Sequence, residues 1–498
     1  MPCLRWRCGG WSSVTNLMSI RQLPIRLRLR LRPRHSPNHA KERCVLDLAL
    51  TGFVLAFLAL GFRRPYLWVL AYLYIDSLAP QKISYGILKV IPVSLISFVL
   101  AFGGWILIDY KRNSRFTLRQ GLIALLLVYC GLTTLSADFP EEALIKWDWV
   151  WKALLFAIFL PMTLTTRLRI EAATLIMTLT VGAIVIGGAI KTLAGGGGYG
   201  TLRLFVNDNS GLYEGSTLST VAIAIIPLIW WLVNHGTVFP RSILTKSYGA
   251  ALTFACLLIP VGTQTRTGLL CIALLGLLAL RNIKRRLLFV TAAAAALIVT
   301  IPFLPASYTQ RIGTIETHSS DQSASTRVAV WKWTLDYVKQ HPFGGGFDAY
   351  RGNQVRVEMT DVKGSGNNVT VESRETFDKA RAYHSAYFEM LGEQGWPGLI
   401  LWLSIQVLGL LQLERIRWKW RRRSEPAGAW LVPLAGALQQ AQLVYMFGAV
   451  FVGIAFQPVI CMLIGMQCGL WSYSNRIAAA DRPRRQPGLV TLRTSLTQ

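Results

Sequence analysis

The chain has 498 residues, of which 52% are hydrophobic and only 15% charged, whereas soluble domains are about 25% charged. Its formal net charge of +27 could indicate nucleic-acid binding, but the positive charge falls in the two tails and in short loops between apolar runs. This distribution is typical of a membrane protein, so the expected partner is the lipid bilayer and not nucleic acid.

The N-terminal segment 1–44 differs in composition from the rest of the chain. It contains ten Lys or Arg residues against one acidic residue and includes the alternating run Ile25–Arg32. Because it shows no clean amphipathic face, a transit peptide is the less favoured interpretation. We interpret it as a basic tail that is disordered or non-native, with translation beginning near Cys44.

From residue 45 onward, apolar residues fall in runs of roughly 15 to 22, a length that crosses about 30 Å of hydrocarbon as a helix. The runs predict an all-α polytopic membrane protein with 12 or 13 transmembrane helices, although those near 65–80 and 149–163 could be interfacial. The runs are 45–62, 65–80, 87–108, 119–136, 149–163, 171–190, 216–234, 247–262, 267–280, 287–304, 396–413, 428–447 and 450–472.

These runs divide the chain after its tail into five parts. They are an N-terminal membrane region at 45–190, a central membrane region at 191–304, a large extracytoplasmic loop at 305–395, C-terminal membrane helices at 396–474 and a basic cytoplasmic tail at 475–498.

Basic and neutral loops alternate along the chain. The basic loops are 109–119, 164–171, 235–247, 281–286 and 414–427, whereas 137–148 and 191–215 are poor in Lys and Arg. The positive-inside rule therefore puts the basic loops in the cytoplasm and the long loop outside. Counting spans back from these oriented loops puts residue 45 on the outer side of the membrane. The basic tail that precedes it should, however, stay in the cytoplasm. Either the first span is re-entrant, another span does not cross, or the tail is not part of the working protein, which is the interpretation we favour.

The long loop contains one predicted amphipathic helix. Val328, Trp331, Leu335 and Val338 recur at helical spacing, and Lys332, Asp336 and Lys339 lie on the opposite side. The helix is expected to lie on the membrane surface and to stop at the run His341–Gly346. Residues 351–380 are polar and predict a mobile excursion, and helical spacing returns after His384.

Three arginines on the outer side are candidate anion ligands. Arg266 lies between two spans among hydroxyl side chains, where it could snorkel to the interface or clamp a phosphate through its guanidinium. Arg327 begins the amphipathic helix, and Arg311 is a weaker candidate. Two or three arginines on one side of the membrane would suit a diphosphate.

His384 is the candidate general base of the long loop. A position at the start of a helix favours the neutral imidazole that a base requires, although a structural histidine is an open alternative. Glu389 and Glu393 follow it as alternative bases or orienting residues.

Other polar groups give weaker indications. Asp208, Asn209 and Glu214 could bind sugar hydroxyls or cap the next helix. No Cys-based metal spacing, nucleotide-binding motif or metalloprotease motif occurs, so no metal or cofactor is expected.

Four segments together resemble the O-antigen ligase and polymerase superfamily. They are Thr263–Gly268, Ser323–Arg327 with Trp331, His341–Phe347 and His384–Gly395. The closest branch is the O-glycosylation ligase type associated with exosortase A, which Tyr74–Pro80 and Ala137–Pro140 also resemble. The resemblance covers roughly 45–470 and leaves out the tail and the insert 351–380.

The resemblance implies a metal-independent, inverting transfer of a glycan from undecaprenyl diphosphate to an acceptor hydroxyl. The acceptor would be lipid A core, a protein or a polysaccharide, on the periplasmic face of the bacterial inner membrane. By motif position, Arg266 and Arg327 would hold the diphosphate and His384 would be the base.

Three alternatives remain open within the sequence. The first is an O-antigen or exopolysaccharide polymerase of the same superfamily, which needs the same donor site. The second is a transporter or flippase, whose expected internal repeats are not seen. A scaffold without chemistry is a third and weaker alternative.

Overall fold

A computed structural model describes residues 37–84, 87–109, 111, 114–194, 212, 214–281, 322–363, 370–423 and 426–480. Arg311, Asp208 and Asn209 lie outside these residues, as does the predicted span 287–304.

Fourteen helices and one pair of strands are described. The helices are α1 (Pro37–Gly61), α2 (Tyr66–Leu78), α3 (Pro80–Ile83), α4 (Val93–Leu107), α5 (Leu118–Leu135), α6 (Pro140–Thr163), α7 (Arg167–Ala194), α8 (Gly215–His235), α9 (Ile243–Gly262), α10 (Arg266–Leu280), α11 (Gln322–Gln340), α12 (Ala386–Arg421), α13 (Gly428–Gly448) and α14 (Pro458–Ala480). The strands are β1 (Gln354–Lys363) and β2 (Thr370–Lys379), with short 3-10 turns at Ile87–Lys89 and Ala349–Gly352.

The prediction of an all-α polytopic membrane protein is confirmed. Helices α5, α7, α8, α9 and α12 are long and apolar enough to cross a membrane, and α2, α4 and α10 are shorter apolar helices. Every predicted span except 287–304 coincides with a helix, although the last helix starts at Pro458 and not near 450. A helix satisfies all of its backbone hydrogen bonds internally, which is why apolar sequence of this length becomes helical in lipid.

The segment 351–380, expected to be a mobile excursion, contains a regular hairpin, and its mobility stays a prediction. Strands β1 and β2 pair antiparallel from Gln354↔Lys379 to Lys363↔Thr370. Buried Asn353 fixes the base of this hairpin, because its side chain accepts from the Arg381 N–H at 2.9 Å and donates to the Arg381 carbonyl at 2.6 Å. The hairpin is therefore a defined arm whose second strand ends five residues before His384.

Helix α11 forms as predicted and ends at Gln340. Val328 and Leu335 of its apolar stripe are 46% and 43% exposed, which suits the expected position on the membrane surface. Val338 is buried, and the inward face of the helix also carries Val330 and Thr334, which are both buried.

The basic loops meet at one end of the helical bundle. Arg169 forms a bidentate ion pair with Asp109 at 2.6 and 2.7 Å, and Arg281 pairs with Glu414 at 3.1 Å. Arg167 donates to the His235 carbonyl at 2.9 Å. We call this end the basic end.

The long loop lies at the opposite end, which we call the long-loop end. There Asp138 accepts a hydrogen bond from the Tyr337 hydroxyl, and Ala386 donates to the Ala449 carbonyl at 2.8 Å. Helix α1 reaches the basic end at Gly61, where it packs on Trp68, so its first residues lie towards the long-loop end. The conflict between the basic tail and the loop charges therefore persists.

Reporter fusions test the sidedness of the two ends. We expect a fusion at Gly366 to give a periplasmic signal and a fusion after Gln498 to give a cytoplasmic one, because the basic end is retained in the cytoplasm. Active alkaline phosphatase and fluorescent protein fusions provide the two readouts. A cytoplasmic signal at Gly366 would overturn this topology.

Candidate active site

Arg266 is the first residue of α10 and follows a tight turn after α9. Gln264 in this turn has a left-handed φ of 52° and is buried. Thr263 and Thr265 both hydrogen-bond Ser219 of α8, at 2.9 and 2.8 Å. The turn is thus tied to α8 by hydroxyl groups, which places Arg266 in a built polar corner and not at a free helix end.

Glu214 occupies the neighbouring N-terminus of α8. Its carboxylate accepts from the backbone N–H groups of Ser216 and Thr217, at 3.0 and 2.5 Å. This is the helix-capping alternative weighed for Glu214 from the sequence. Gly215 touches the α9–α10 turn, since a Cβ there would lie 3.2 Å from Thr263. Glu214 and Arg266 therefore belong to one region of the long-loop end.

Arg327 lies on the inward side of α11. One turn further on, Trp331 donates to the Tyr383 carbonyl at 2.9 Å and stacks on Phe388 with ring centroids 4.8 Å apart. These contacts join α11 to the start of α12. Arg327 is half-buried and close enough to His384 to affect its protonation, whereas Lys332 on the other side is exposed.

His384 immediately precedes the N-cap residue of α12 and has a left-handed φ of 48°. A non-glycine residue in this region is strained by about 1–3 kcal/mol, and such strain concentrates at functional sites. Buried contacts hold it on both sides: Tyr383 accepts from Trp331, and Ser385 is only 1% exposed. The imidazole itself remains accessible, as a base that meets a substrate must be.

The surroundings lower the pKa of His384 below its usual value of 6.5. Desolvation by the surrounding protein is the largest cause, and the positive charges of Arg327 and Arg381 act in the same direction. The carboxylate of Glu214 opposes them. The structure thus brings His384, Arg327 and Glu214 together from three distant parts of the sequence and favours a neutral imidazole.

Glu389 and Glu393 lie further along α12 and face Lys146 of α6. The Lys146 ammonium lies 2.7 Å from Glu389 Oε1 and 2.7 Å from Glu393 Oε1. Asp348 is a third carboxylate at 3.9 Å, and the Asp348 N–H donates to Glu393. Glu393 is fully buried, so this geometry favours an orienting role over that of a base. Among the described residues, no group of His, Cys, Asp or Glu side chains is arranged to hold a metal ion.

Sequence reasoning missed Lys146 and its role. Two signals could have indicated it: Lys146 is the one basic residue of the loop 137–148, and Glu389 and Glu393 stand four residues apart on one helix face. Two carboxylates this close to the membrane require a cation partner.

The glycine run Gly344–Gly346 packs against the kink that α12 makes at Gly395. The N–H groups of Gly345 and Gly346 donate to the carbonyls of Gly392 and Glu393, at 3.1 and 2.9 Å. The kink frees these carbonyls from the regular helical pattern, and the glycine run satisfies them. Gly344 has a φ of 83°, and a Cβ there would lie 2.5 Å from the Glu393 carbonyl oxygen. This packing explains why the run contains glycines.

Two regions of the chain match known family models. Residues 251–403 match a family model described as O-Antigen ligase, and residues 45–237 match a family of unknown function (DUF5935). No curated protein matches the chain. The first match spans Arg266, Arg327 and His384 and supports the predicted relation to the O-antigen ligase superfamily, whose members transfer glycans. The exosortase-associated branch is not confirmed.

The glycine run gives a stability prediction. In Gly346→Ala, the new Cβ would lie 2.4 Å from Ala137 at a φ of 78°, so we expect the free energy of unfolding to fall by about 2 kcal/mol or more. Gly352→Ala is the matched control, because its Cβ would lie 3.6 Å from Phe139, an ordinary contact. Unfolding in detergent followed by circular dichroism measures both. Equal midpoints for the two variants would contradict this account.

Proposed function

We propose that this protein transfers a glycan from undecaprenyl diphosphate to an acceptor hydroxyl at the periplasmic face of the inner membrane. The observation that carries the proposal is the grouping of His384 with Arg327 and Glu214, in a region that matches the O-antigen ligase family. Arg266, on the turn that packs against α8 beside Glu214, supplies a second guanidinium at the same end.

The chemistry follows from the charges of these groups. The acceptor oxygen attacks the anomeric carbon as His384 removes its proton, and the bond from that carbon to the diphosphate oxygen breaks. The lipid diphosphate leaves with the bonding electrons, and Arg266 and Arg327 stabilise its growing negative charge. Attack opposite the leaving group inverts the anomeric centre, and no metal takes part in this mechanism.

The acceptor is the less defined part of the proposal. Lipid A core, a protein or a polysaccharide each offers a suitable hydroxyl, and a polymerase would use a second repeat unit at the same donor site. Arg266 and Arg327 would contact the donor diphosphate in the same way in ligation and in polymerisation. Product analysis with each acceptor distinguishes ligation from polymerisation.

Arg266→Lys tests the diphosphate contact. Lysine keeps the charge but loses the planar fork of donors, so we expect transfer to fall by ~10²-fold, corresponding to about 3 kcal/mol of transition-state stabilisation. The matched control is Arg281→Lys at the exposed far end of the same helix, which should retain wild-type transfer. A radiolabelled lipid-linked donor in proteoliposomes gives the rate. Near-normal transfer by Arg266→Lys would assign Arg266 to interface snorkelling.

His384→Asn tests the base without adding backbone strain, because asparagine tolerates the left-handed region. We expect the transfer rate to fall by ~10²–10⁴ while donor binding survives on the two arginines. His341→Ala is the control, since His341 is exposed in the same loop and stacks on Tyr337. If His384→Asn transfers at the wild-type rate, His384 is not the base, and Glu389 or Glu393 becomes the next candidate.

The pH profile tests the same assignment independently. Because the pKa of His384 is lowered, the imidazole stays neutral to a lower pH than an ordinary histidine with a pKa near 6.5. The acid limb of the wild-type rate should therefore lie at a lower pH than an ordinary histidine would impose. Rates measured across this limb for the wild type and for His384→Asn provide the comparison. An identical acid limb in both proteins would exclude His384 as its source.

A further inference from the structure

A cleft of about 670 Å³ opens at the basic end of the bundle, away from His384. Parts of α8, α9, α10, α12 and α13 line it. Its walls include Ile226, Leu257, Ile272 and Val432, which are all apolar. A volume of this size falls in the range of roughly 300–1,000 Å³ that holds small-molecule ligands.

The polarity of the cleft changes along its length. On α8 it extends from Ile226 to His235, a rise of roughly 13 Å along the helix. Arg417 and Arg421, on the last turns of α12, line its outer part, next to Asn234 and His235 of α8. The cleft is therefore mainly apolar towards the membrane centre and cationic at the basic end.

The positive charge at the mouth is only partly neutralised. Arg417 contacts Glu414 and Gln439, both at 2.7 Å, and Glu414 also pairs with Arg281. Arg421 is exposed and forms no ion pair with any residue in the described part of the chain. Among the described residues, Arg281 and Arg417 thus share the carboxylate of Glu414, and Arg421 adds a further positive charge.

Two glycines keep the cleft open. A Cβ at Gly276 would meet nothing within 4 Å, and a Cβ at Gly436 would meet only Arg417 Nε at 3.6 Å. Larger side chains would fit at both positions without backbone strain. The space is thus available to a ligand.

We propose that this cleft binds an anionic phospholipid from the leaflet at the basic end. An acyl chain would fill the apolar part, and the phosphate would contact Arg421 at the mouth. Apolar walls that open into a bilayer suit a lipid better than a soluble anion, and the excess of arginines selects a negative headgroup. The site is separate from the donor site, because His384 and Arg266 lie at the long-loop end.

Lipid retention by the purified protein tests the proposal. The full chain is first exchanged into nanodiscs that contain equal amounts of phosphatidylglycerol and phosphatidylcholine. It is then released into detergent, and native mass spectrometry identifies the phospholipids that remain bound to it. We expect the wild type to retain phosphatidylglycerol preferentially. Arg421→Ala should lower its retention by roughly fivefold, the loss expected for one arginine near an anionic surface.

Two matched controls make the result specific. Arg422→Ala should retain lipid like the wild type, because the Arg422 guanidinium stacks on Trp418 and does not line the cleft. Gly276→Leu should obstruct the apolar part of the cleft and lower retention. Gly103→Leu, on α4, also projects into open space but lies outside the cleft, so it should retain lipid like the wild type. Each variant is first shown to be monodisperse.

Several outcomes would overturn the proposal. They are equal retention of both phospholipids by the wild type, no retained lipid, and equal losses in Arg421→Ala and Arg422→Ala. Selective retention of a polyprenyl diphosphate in the cleft would also overturn it, because the occupant would then be the donor lipid. The first three results do not depend on glycan transfer, so they leave the proposed function unaffected.

Discussion

The ammonium of Lys146, held between the carboxylates of Glu389 and Glu393, is the contact on which the architecture around His384 depends. Glu393 is fully buried, and a buried carboxylate without a cation is destabilised by several kcal/mol. Because Lys146 belongs to α6 and the two glutamates belong to α12, this contact fixes the helix that follows His384 against the membrane helices. Asp348 joins the same network and extends it to the loop after α11.

A second constraint is backbone hydrogen bonding at the kink of α12. Gly395 interrupts the helix with a φ of 62°, and carbonyls that the kink exposes are satisfied by the N–H groups of Gly345 and Gly346. Only glycines allow such close approach at positive φ. The kink and the ion network therefore support the same short helical segment from two sides, which gives the strained backbone at His384 a rigid base.

The bundle separates two kinds of chemistry at its two ends. At the long-loop end, hydroxyls, guanidinium groups and an accessible imidazole gather near the start of α12. At the basic end, ion pairs such as Arg169 with Asp109 anchor the loops, and an apolar cleft opens beneath Arg421. The proposed transfer needs the first end, and the proposed lipid site uses the second. This division follows from helices that span a bilayer, since charged residues that face lipid are costly within the hydrocarbon and collect where it ends.

The sequence by itself determined the membrane helices, because runs of apolar residues leave the backbone only one way to satisfy its hydrogen bonds in lipid. It also determined which loops share an end, through the alternation of Lys and Arg. It singled out Arg266, Arg327 and His384 from local motifs, although their roles stay predictions. Only the tertiary structure placed Arg327 and Glu214 beside His384, because the three residues are far apart in the chain and local spacing carries no information about such contacts. The same reason applies to Lys146, whose partners Glu389 and Glu393 lie more than 240 residues away. The hairpin likewise appears only in the tertiary structure, because its strands pair residues that are distant in the chain, such as Gln354 and Lys379.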